Sequence, residues 1–444
     1  IQAMVSGSIT EELRGRLVVS DDKRDGYVEN IGSAGDDRET SDYTSVRGAL
    51  EYDLNEDIQL YLNAYHFDDQ GNNFARYLGD YPTTPTFLGV TNFWVLRNAP
   101  PNITKTDPFK IRADTPSEQS DESKGLSLDI NWALGNMEFR SLSAYDDTSK
   151  NSITDQDGSD VYRQDVQYDI STEVFTQEFQ LLSKNDGALQ WVAGLFYYKE
   201  DSNLDFSSIR EFADSNGDGV VNSSDNARMV FDPVVIDSTS VALFGQLDYS
   251  FTDQLQLVAG LRYSKDEKER SDALGIGFEG LPLFFVPSFT HIDKDKWDEV
   301  TGKIGLNYHI NDDVMAYASY STGYKAGGFN FFEAGSFDPE TVDSYEVGVK
   351  SQWLDNRIQV NVSSFYYDYQ NKQDLQALAA AGFNALPNLE NASAATVKGV
   401  EFEAQANIGS GFQIDMSAAY LDAEFDDYDS SDNEFPALGI QDLS

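Results

Sequence analysis

The chain has 444 residues, with 31 Lys and Arg against 76 Asp and Glu, and hence a formal net charge of −45. This excess of acidic residues argues against nucleic-acid binding, which needs a basic surface to neutralise phosphates. Cysteine is absent, and the three histidines, His66, His291 and His309, lie far apart in the sequence. We therefore expect no disulfide, no thiolate or histidine-rich metal site and no enzyme.

Apolar and polar residues alternate with a period of two in many segments. Residues 241–251 have apolar side chains at most odd positions, and polar side chains such as Gln246 and Asp248 stand at even ones. After a short turn the alternation resumes over Leu255–Tyr263. This pattern predicts an antiparallel hairpin in which each strand has one apolar and one polar side.

The same hairpin pattern occurs eight times along the chain. The short turns are rich in Asn, Asp and Gly, which adopt turn dihedrals at low cost. They are Thr10–Glu12, Leu54–Asp57, Leu134–Asn136, Lys184–Gly187, Thr252–Asp253, Asn311–Asp313, Leu354–Asn356 and Ile408–Gly411. Eight hairpins predict about sixteen strands, many of ~9–12 residues, which is the length that a tilted strand needs to cross a bilayer.

Long polar segments alternate strictly with these turns. They are Asp21–Tyr43, Asp68–Lys124, Asp147–Ser171, Asp201–Ser238, Glu267–Lys296, Gly323–Glu340 and Gln370–Ala394. A soluble sandwich has no reason to keep tight turns at one end and long loops at the other, whereas an outer-membrane barrel has short periplasmic turns and long extracellular loops. The sequence therefore predicts an all-β fold, an antiparallel transmembrane β-barrel, over a soluble β protein.

The two sides of the predicted strands suit lipid and water respectively. We expect the apolar sides to contact lipid and the polar sides to line a wide lumen. Expected lumen residues are Arg47, Asp129, Asn131, Asp248 and Arg262. The sheet must close, because an open edge in lipid leaves backbone groups unpaired. The aromatic clusters Phe196–Tyr198 and Phe365–Tyr367 are predicted to lie at the membrane interfaces.

The long polar segment 201–238 contains a pattern typical of calcium-binding loops. Residues 214–225 place side-chain oxygens at positions 1, 3, 5, 9 and 12, glycine at position 6 and a backbone carbonyl at position 7. The predicted ligands are Asp214, Asn216, Asp218, Val220, Asn222 and Asp225. Aspartate at position 12 is shorter than the usual glutamate, so we expect weak Ca²⁺ affinity; the alternative is an acidic, solvated loop. Bound Ca²⁺ would order a segment whose eight acidic residues are offset only by Arg210 and Arg228.

Several motifs resemble those of the barrel of TonB-dependent outer-membrane receptors. The similar segments are Leu13–Leu17, Asp25–Tyr27, Asn30, Tyr320–Asn330, Asp338–Glu340, Ser344–Lys350 and Asn391–Glu401. They span almost the whole chain in the order expected for that family. The resemblance implies a barrel of about 22 strands whose lumen is closed by an N-terminal plug. By that pattern, residues 1–444 are a barrel truncated at both ends, without the plug, one strand at the front and about five at the back.

Ligand contacts in such a receptor are expected from lumen-facing residues and loop tips. One loop tip is aromatic and rich in glycine and carries one cation, and its candidate contacts are Tyr324, Lys325, Phe329, Asn330 and Phe331. The alternative is that these residues only shape the loop tip. The basic segments Lys265–Arg270 and Lys294–Lys296 are interleaved with acids, so the average field repels anions. This favours neutral or cationic cargo, unless calcium or a local patch screens the charge.

The resemblance implies a receptor in the outer membrane of a Gram-negative cell. It would be a monomer in contact with membrane lipid, and the TonB energy-coupling complex would act on it through the missing plug. We expect it to import a scarce solute, a ferric siderophore. Uptake of a glycan or cobalamin by the same fold and a passive porin-like channel are the alternatives. An outer-membrane barrel enzyme would need a nucleophile and a base at the rim, and the sequence offers no such set.

Overall fold

The computed structural model describes residues 1–72, 86–87, 90–91, 107–155, 164–211, 226–278, 286–330, 335–378, 386–391, 394–409 and 411–426. Every regular element in this part of the chain is a β-strand, as expected. No helix among the described residues is long and apolar enough to cross a membrane.

Sixteen strands form one large sheet. In chain order they are β1 (Gln2–Ser8), β2 (Leu13–Arg24), β3 (Ser41–Asp53), β4 (Ile58–Asp69), β5 (Glu118–Leu134), β6 (Met137–Asp155), β7 (Gln164–Ser183), β8 (Leu189–Glu211), β9 (Asn226–Ser250), β10 (Leu255–Phe278), β11 (Val286–Asn311), β12 (Val314–Lys325), β13 (Glu340–Trp353), β14 (Ile358–Gln370), β15 (Ala395–Asn407) and β16 (Gln413–Phe425). Each strand pairs with its neighbours in the chain, without a crossover, and the sheet is not closed. The predicted strand number and antiparallel order are confirmed.

The eight short turns all lie at the same end of the sheet, at the predicted positions. We call this the turn end and the opposite end the loop end. β5 and β6 are joined by Gly135 and Asn136, and Gly135 has a φ of 67°. Glycine adopts this left-handed conformation without a steric penalty. The separation of short turns from long connections that the sequence predicts is therefore present in the fold.

The strands at the centre of the sheet are longer than predicted. β6 has 19 residues and β11 has 26, against an expectation of ~9–12 for a bilayer crossing. Within the predicted loop 201–238, β8 continues to Glu211 and β9 begins at Asn226. The loops predicted over 147–171 and 267–296 likewise consist largely of strand, so these boundaries are wrong. The backbone pairing continues there although hydrophobic alternation, the signal used for prediction, has ended.

One face of the sheet, here called the apolar face, exposes large hydrophobic side chains. On it Leu243 lies opposite Tyr263, and Ala259 lies opposite Ile304. The exposed fractions are 58% for Leu243 and 53% for Ile304. Burying a side chain of this size is worth roughly 1.5–3 kcal/mol relative to leaving it in water. A face of this kind needs an apolar environment over its whole width.

Two rows of aromatic side chains cross the apolar face. The upper aromatic row, toward the loop end, contains Tyr145, Tyr197, Tyr263, Tyr320, Tyr345 and Tyr366; the lower aromatic row, toward the turn end, contains Tyr52, Trp132, Phe139, Tyr249, Tyr308 and Trp353. Between the rows, no described residue of this face is Asp, Glu, Lys or Arg. Charge returns beyond the upper row, where Lys265 faces Asp298. An uncharged band between aromatic girdles is the pattern of membrane-spanning strands.

The opposite face, here called the polar face, carries the residues predicted to line a lumen. Arg47, Asp129, Asn131, Asp248 and Arg262 all lie on it. The prediction for the two aromatic clusters is only partly right. Tyr197 and Tyr366 lie in the upper aromatic row, whereas the residues on either side of each point to the polar face, because successive strand residues alternate.

At the loop end, the connections β2–β3 and β4–β5 pack against each other. Short strands at Glu29–Asn30 and Lys110–Ile111 pair in parallel. Val28, Ile111 and Ala113 form a small core of buried residues beside them. These contacts order the described parts of two long connections over the end of the sheet.

Candidate functional site

The motif Tyr320–Asn330 completes β12 and enters the connection to β13. Gly327 and Gly328 leave no room for a side chain there. A Cβ atom on Gly327 would lie 2.6 Å from the Trp297 ring, and one on Gly328 would lie 2.6 Å from the Phe337 ring. The glycine pair therefore lets this connection pack closely against β11.

Phe329, the next residue, packs between two side chains of the long strands. The Arg270 guanidinium carbon lies 5.2 Å from the centre of the Phe329 ring. The Trp297 ring lies 6.3 Å from it, centre to centre. A cation over an aromatic face is attracted most strongly when it is removed from water, and the Arg270 side chain is 0% exposed.

Arg270 of β10 is the centre of a buried ionic cluster. It pairs with Asp293 of β11 and donates a hydrogen bond to the carbonyl of Asn330. Its Nε lies 3.7 Å from Asp272, whose other carboxylate oxygen lies 3.0 Å from Nδ1 of His291. Burial raises the pKa of Asp272, although Arg270 and His291 act in the opposite direction. The cluster ties the ends of β10 and β11 to the β12–β13 connection.

Asn330 and Gln373 extend this packing to the β14–β15 connection. The Asn330 amide donates to the Leu389 carbonyl at 2.8 Å and accepts from the Leu389 amide at 2.7 Å. The Gln373 side chain donates to the carbonyls of Ala326 at 3.0 Å and Asp338 at 3.1 Å. We call the assembly of Arg270, Asp272, Asp293, Phe329, Asn330, Gln373 and Leu389 the loop junction.

Tyr324 and Lys325 end β12 beside the loop junction. The Tyr324 hydroxyl faces Asp266, and burial together with that carboxylate raises the pKa of Tyr324. Lys325 is exposed and stands opposite Glu340 in the pairing of β12 with β13. Phe331 lies outside the described residues. Of the predicted ligand contacts, Phe329 and Asn330 thus hold connections together, and contact with a ligand stays a prediction for the whole set.

The predicted calcium loop, with Asp214, Asn216, Asp218, Val220, Asn222 and Asp225, lies outside the described residues. In the part of the chain that the structure describes, no group of three or more His, Asp and Glu side chains could hold a metal ion. Calcium binding at residues 214–225 therefore stays a prediction.

Charged groups of the polar face commonly find partners on the same face. Arg14 pairs with Glu51 at 3.1 Å and with Asp53 at 2.7 Å. The Arg262 guanidinium lies 5.3 Å from the centre of the Phe196 ring. A wall of this composition suits contact with water and polar solutes rather than with lipid.

Apart from Phe329 and Asn330, the residues that build the loop junction are not recognisable in the sequence. Arg270 belongs to a segment that alternates basic and acidic residues, which is typical of a solvated surface. Arg270 pairs with Asp293, which is its direct neighbour across β10 and β11. That register lies beyond Tyr263, where hydrophobic alternation no longer indicates which residues face each other.

A family model described as "TonB dependent receptor-like, beta-barrel" matches residues 63–440. The chain belongs to this family. The match includes the loop junction, the motif Tyr320–Asn330 and the uncharged band from β5 onward, so the resemblance seen in the sequence is confirmed. Proteins of the TonB-dependent receptor family are receptors and transporters of the Gram-negative outer membrane.

Individual relatives of this receptor barrel are distant. The pesticin receptor of Yersinia pestis is 27% identical over 191 residues, which is 42% of this chain and 26% of that receptor. The probable TonB-dependent siderophore receptor PiuA of Acinetobacter baumannii is 26% identical over 209 residues, 45% of this chain and 25% of PiuA. The crystal structure of the ferric yersiniabactin uptake receptor FyuA from Yersinia pestis has a TM-score of 0.74 at 17% identity, covering 96% of this chain and 58% of FyuA.

The receptor barrel thus spans about a quarter of the length of the relatives it matches in sequence, and 58% of the chain of FyuA. The likeness to FyuA establishes the fold, an antiparallel sheet of the TonB-dependent receptor type. Its identity of 17% carries no information about cargo.

Proposed function

We propose that the receptor containing this chain imports a ferric siderophore across the outer membrane of a Gram-negative cell. The observation that carries the proposal is the uncharged band between two aromatic rows, backed by a polar face, in a member of this family. The name of PiuA, a probable TonB-dependent siderophore receptor that is 26% identical over 45% of this chain, supports iron-chelate cargo. The receptor would sit as a monomer in membrane lipid and receive energy from TonB through a plug.

Uptake is tested in iron-starved cells of the source organism, with and without the gene. Radioactive iron is supplied as the chelates secreted into the organism's own medium. We expect deletion to abolish saturable uptake and an intact gene copy to restore it. A protonophore should stop the restored uptake within minutes, because import against a gradient needs the energised inner membrane.

The same measurements separate the alternatives. Iron uptake that is unchanged by deletion would contradict the ferric-siderophore proposal, and labelled cobalamin and oligosaccharides would then be tested as cargo. Uptake that persists in the presence of a protonophore would indicate a passive channel. In membrane fractions, we expect the receptor in the outer membrane, with a gel mobility that changes on heating.

We further propose that residues 214–225 bind Ca²⁺ and order the connection between β8 and β9. The support is the complete series of oxygen-bearing positions with glycine at position 6. Millimolar Ca²⁺ should slow proteolysis between β8 and β9 in the wild-type receptor, and should not do so after Asp214→Asn and Asp218→Asn. Equal cleavage with and without Ca²⁺ in the wild type would refute this site.

A further inference from the structure

A cavity of about 840 Å³ opens on the polar face across β1 to β5. Its lining includes Arg16 and Arg47, the aromatic residues Tyr61 and Tyr65, and Asn63. No Asp or Glu is among its described lining residues. Tyr65 stands opposite Gly125, one residue from the pair formed by Leu126 and the upper-row residue Tyr145. The cavity therefore lies on the polar face at about the height of the upper aromatic row.

Arg16 and Arg47 are close neighbours on the polar face. Arg16 stands opposite Ala49 and Arg47 stands opposite Val18, so the two arginines occupy diagonal positions on β2 and β3. Diagonal neighbours of this kind are roughly 7–8 Å apart, within reach of two long side chains. Both are exposed. Two guanidinium groups at this spacing repel each other unless an anion lies between them.

Neither arginine forms an ion pair with the residues that the structure describes, although Arg14, two positions from Arg16 on the same strand, binds two carboxylates. The difference is not a shortage of acids, since the chain has 76 acidic residues for 31 basic ones. The arginine pair is thus a local positive patch in a strongly acidic protein.

The rest of the lining suits a polar anion. The Tyr65 hydroxyl donates to Asp146 at 2.6 Å, which fixes the phenol ring at the edge of the cavity. Asn63 and several serines add neutral donors without adding negative charge. A guanidinium group binds two oxygens of a carboxylate or phosphate with parallel hydrogen bonds, and two guanidinium groups hold such a group more firmly.

We propose that this cavity binds a diffusible anion through a carboxylate or phosphate group held by Arg16 and Arg47. The inference rests on the proposed function in one respect: the anion is a group of the imported solute, which enters from the loop end. The net charge of −45 favours neutral or cationic cargo. Charges beyond about 8 Å are screened at physiological salt, however. Glu51, the acid diagonal to Arg16, is already paired with Arg14, so the arginine pair governs the local potential. The cargo accordingly carries negative charge.

Binding is tested on the whole receptor, purified from outer membranes in detergent at low ionic strength. Tricarballylate, a tricarboxylate, and inorganic phosphate are titrated by calorimetry. We expect saturable binding of at least one of them and at least a tenfold weaker affinity for Arg47→Gln. Arg47→Lys should retain part of the affinity, because lysine keeps the positive charge but cannot form the bidentate hydrogen bonds of a guanidinium group.

Lys303→Gln is the matched control. Lys303 lies on the polar face of β11, opposite Gly260 and Ser321, and its replacement removes the same charge from another part of the wall. The affinity of the Lys303→Gln receptor for the probe anions should equal that of the wild type. Heat-dependent gel mobility shows which variants are folded. Added salt should also weaken binding of the anion to the wild-type receptor, which tests the electrostatic attraction without a variant.

The proposal fails if the wild-type receptor shows no saturable binding, or if Arg47→Gln and Lys303→Gln bind alike. Because binding is measured without transport, this failure is distinguishable from a failure of the uptake proposal.

Discussion

Glu267 is held between two lysines of the neighbouring strand, beyond the upper aromatic row. It pairs with Lys294 and, at 2.6 Å, with Lys296. These lysines lower the pKa of the Glu267 carboxyl from 4.5 to about 2. The group is exposed, so the pair contributes only modestly to stability. The direction in which this contribution changes with pH can nevertheless be tested.

Because the pKa is lower in the folded state, the stabilisation by Glu267 is present above pH 4.5 and is lost as the pH falls toward 2. We expect Glu267→Gln to lower the urea midpoint slightly at pH 7. The difference from the wild type should shrink below pH 4.5 and vanish near pH 2. The measurement is urea unfolding from lipid vesicles over this pH range. A difference that grows on acidification would contradict the assigned direction.

Gly327 shows how close packing constrains a single residue. Gly327→Ala places a methyl group 2.3 Å from the Phe337 carbonyl and 2.6 Å from the Trp297 ring. Overpacking of this kind costs about 1–3 kcal/mol in the free energy of unfolding. Gly48→Ala, whose new methyl group has no atom within 4 Å, is the control and should be close to neutral. Equal urea midpoints for the two variants would show that the β12–β13 connection shifts to accommodate the methyl group at little cost.

At the scale of the strand, alternation decides which side chains meet lipid. Leu261 of β10 is 68% exposed on the apolar face, between the two aromatic rows. Gln246 of β9 lies on the polar face at the same height, opposite Gly260. The two positions are near neighbours on opposite faces and therefore form a matched pair.

We expect Leu261→Lys to destabilise the receptor by about 2–4 kcal/mol, the cost of a lysine at the middle of a membrane-spanning strand. Gln246→Lys should change stability little, because a charge on the polar face remains hydrated. Urea titration in vesicles compares the two free energies of unfolding. If both lysines cost the same, the apolar face does not meet lipid.

Across the whole molecule, the loop junction ties the ends of β10 and β11 to two connections that are remote in sequence, β12–β13 and β14–β15. Arg270→Gln leaves Asp272 buried without its cation and removes the partner of Asp293, whose side chain is 26% exposed. Removing one partner of a buried ion pair costs about 3–5 kcal/mol. We expect faster proteolysis in both the β12–β13 and the β14–β15 connections. Lys296→Gln, which removes an exposed ion pair from the neighbouring strand, should leave cleavage unchanged. Cleavage confined to one connection would show that the two open independently.

The sequence alone determined the sixteen strands, the eight turns and the assignment of residues such as Leu243 and Arg262 to opposite faces. Hydrophobic alternation and turn chemistry are local properties, so they can be recognised without the fold. Only the tertiary structure decided where β8 and β9 end, because the paired backbone continues after the alternation stops.

Cross-strand neighbours likewise required the structure. The contact of Arg270 with Asp293 and the diagonal placement of Arg16 and Arg47 depend on which residues of two strands stand side by side. A change of one residue in register would move every one of these side chains to the other face. No local pattern in the sequence contains that information, because register is set by the contacts of whole strands.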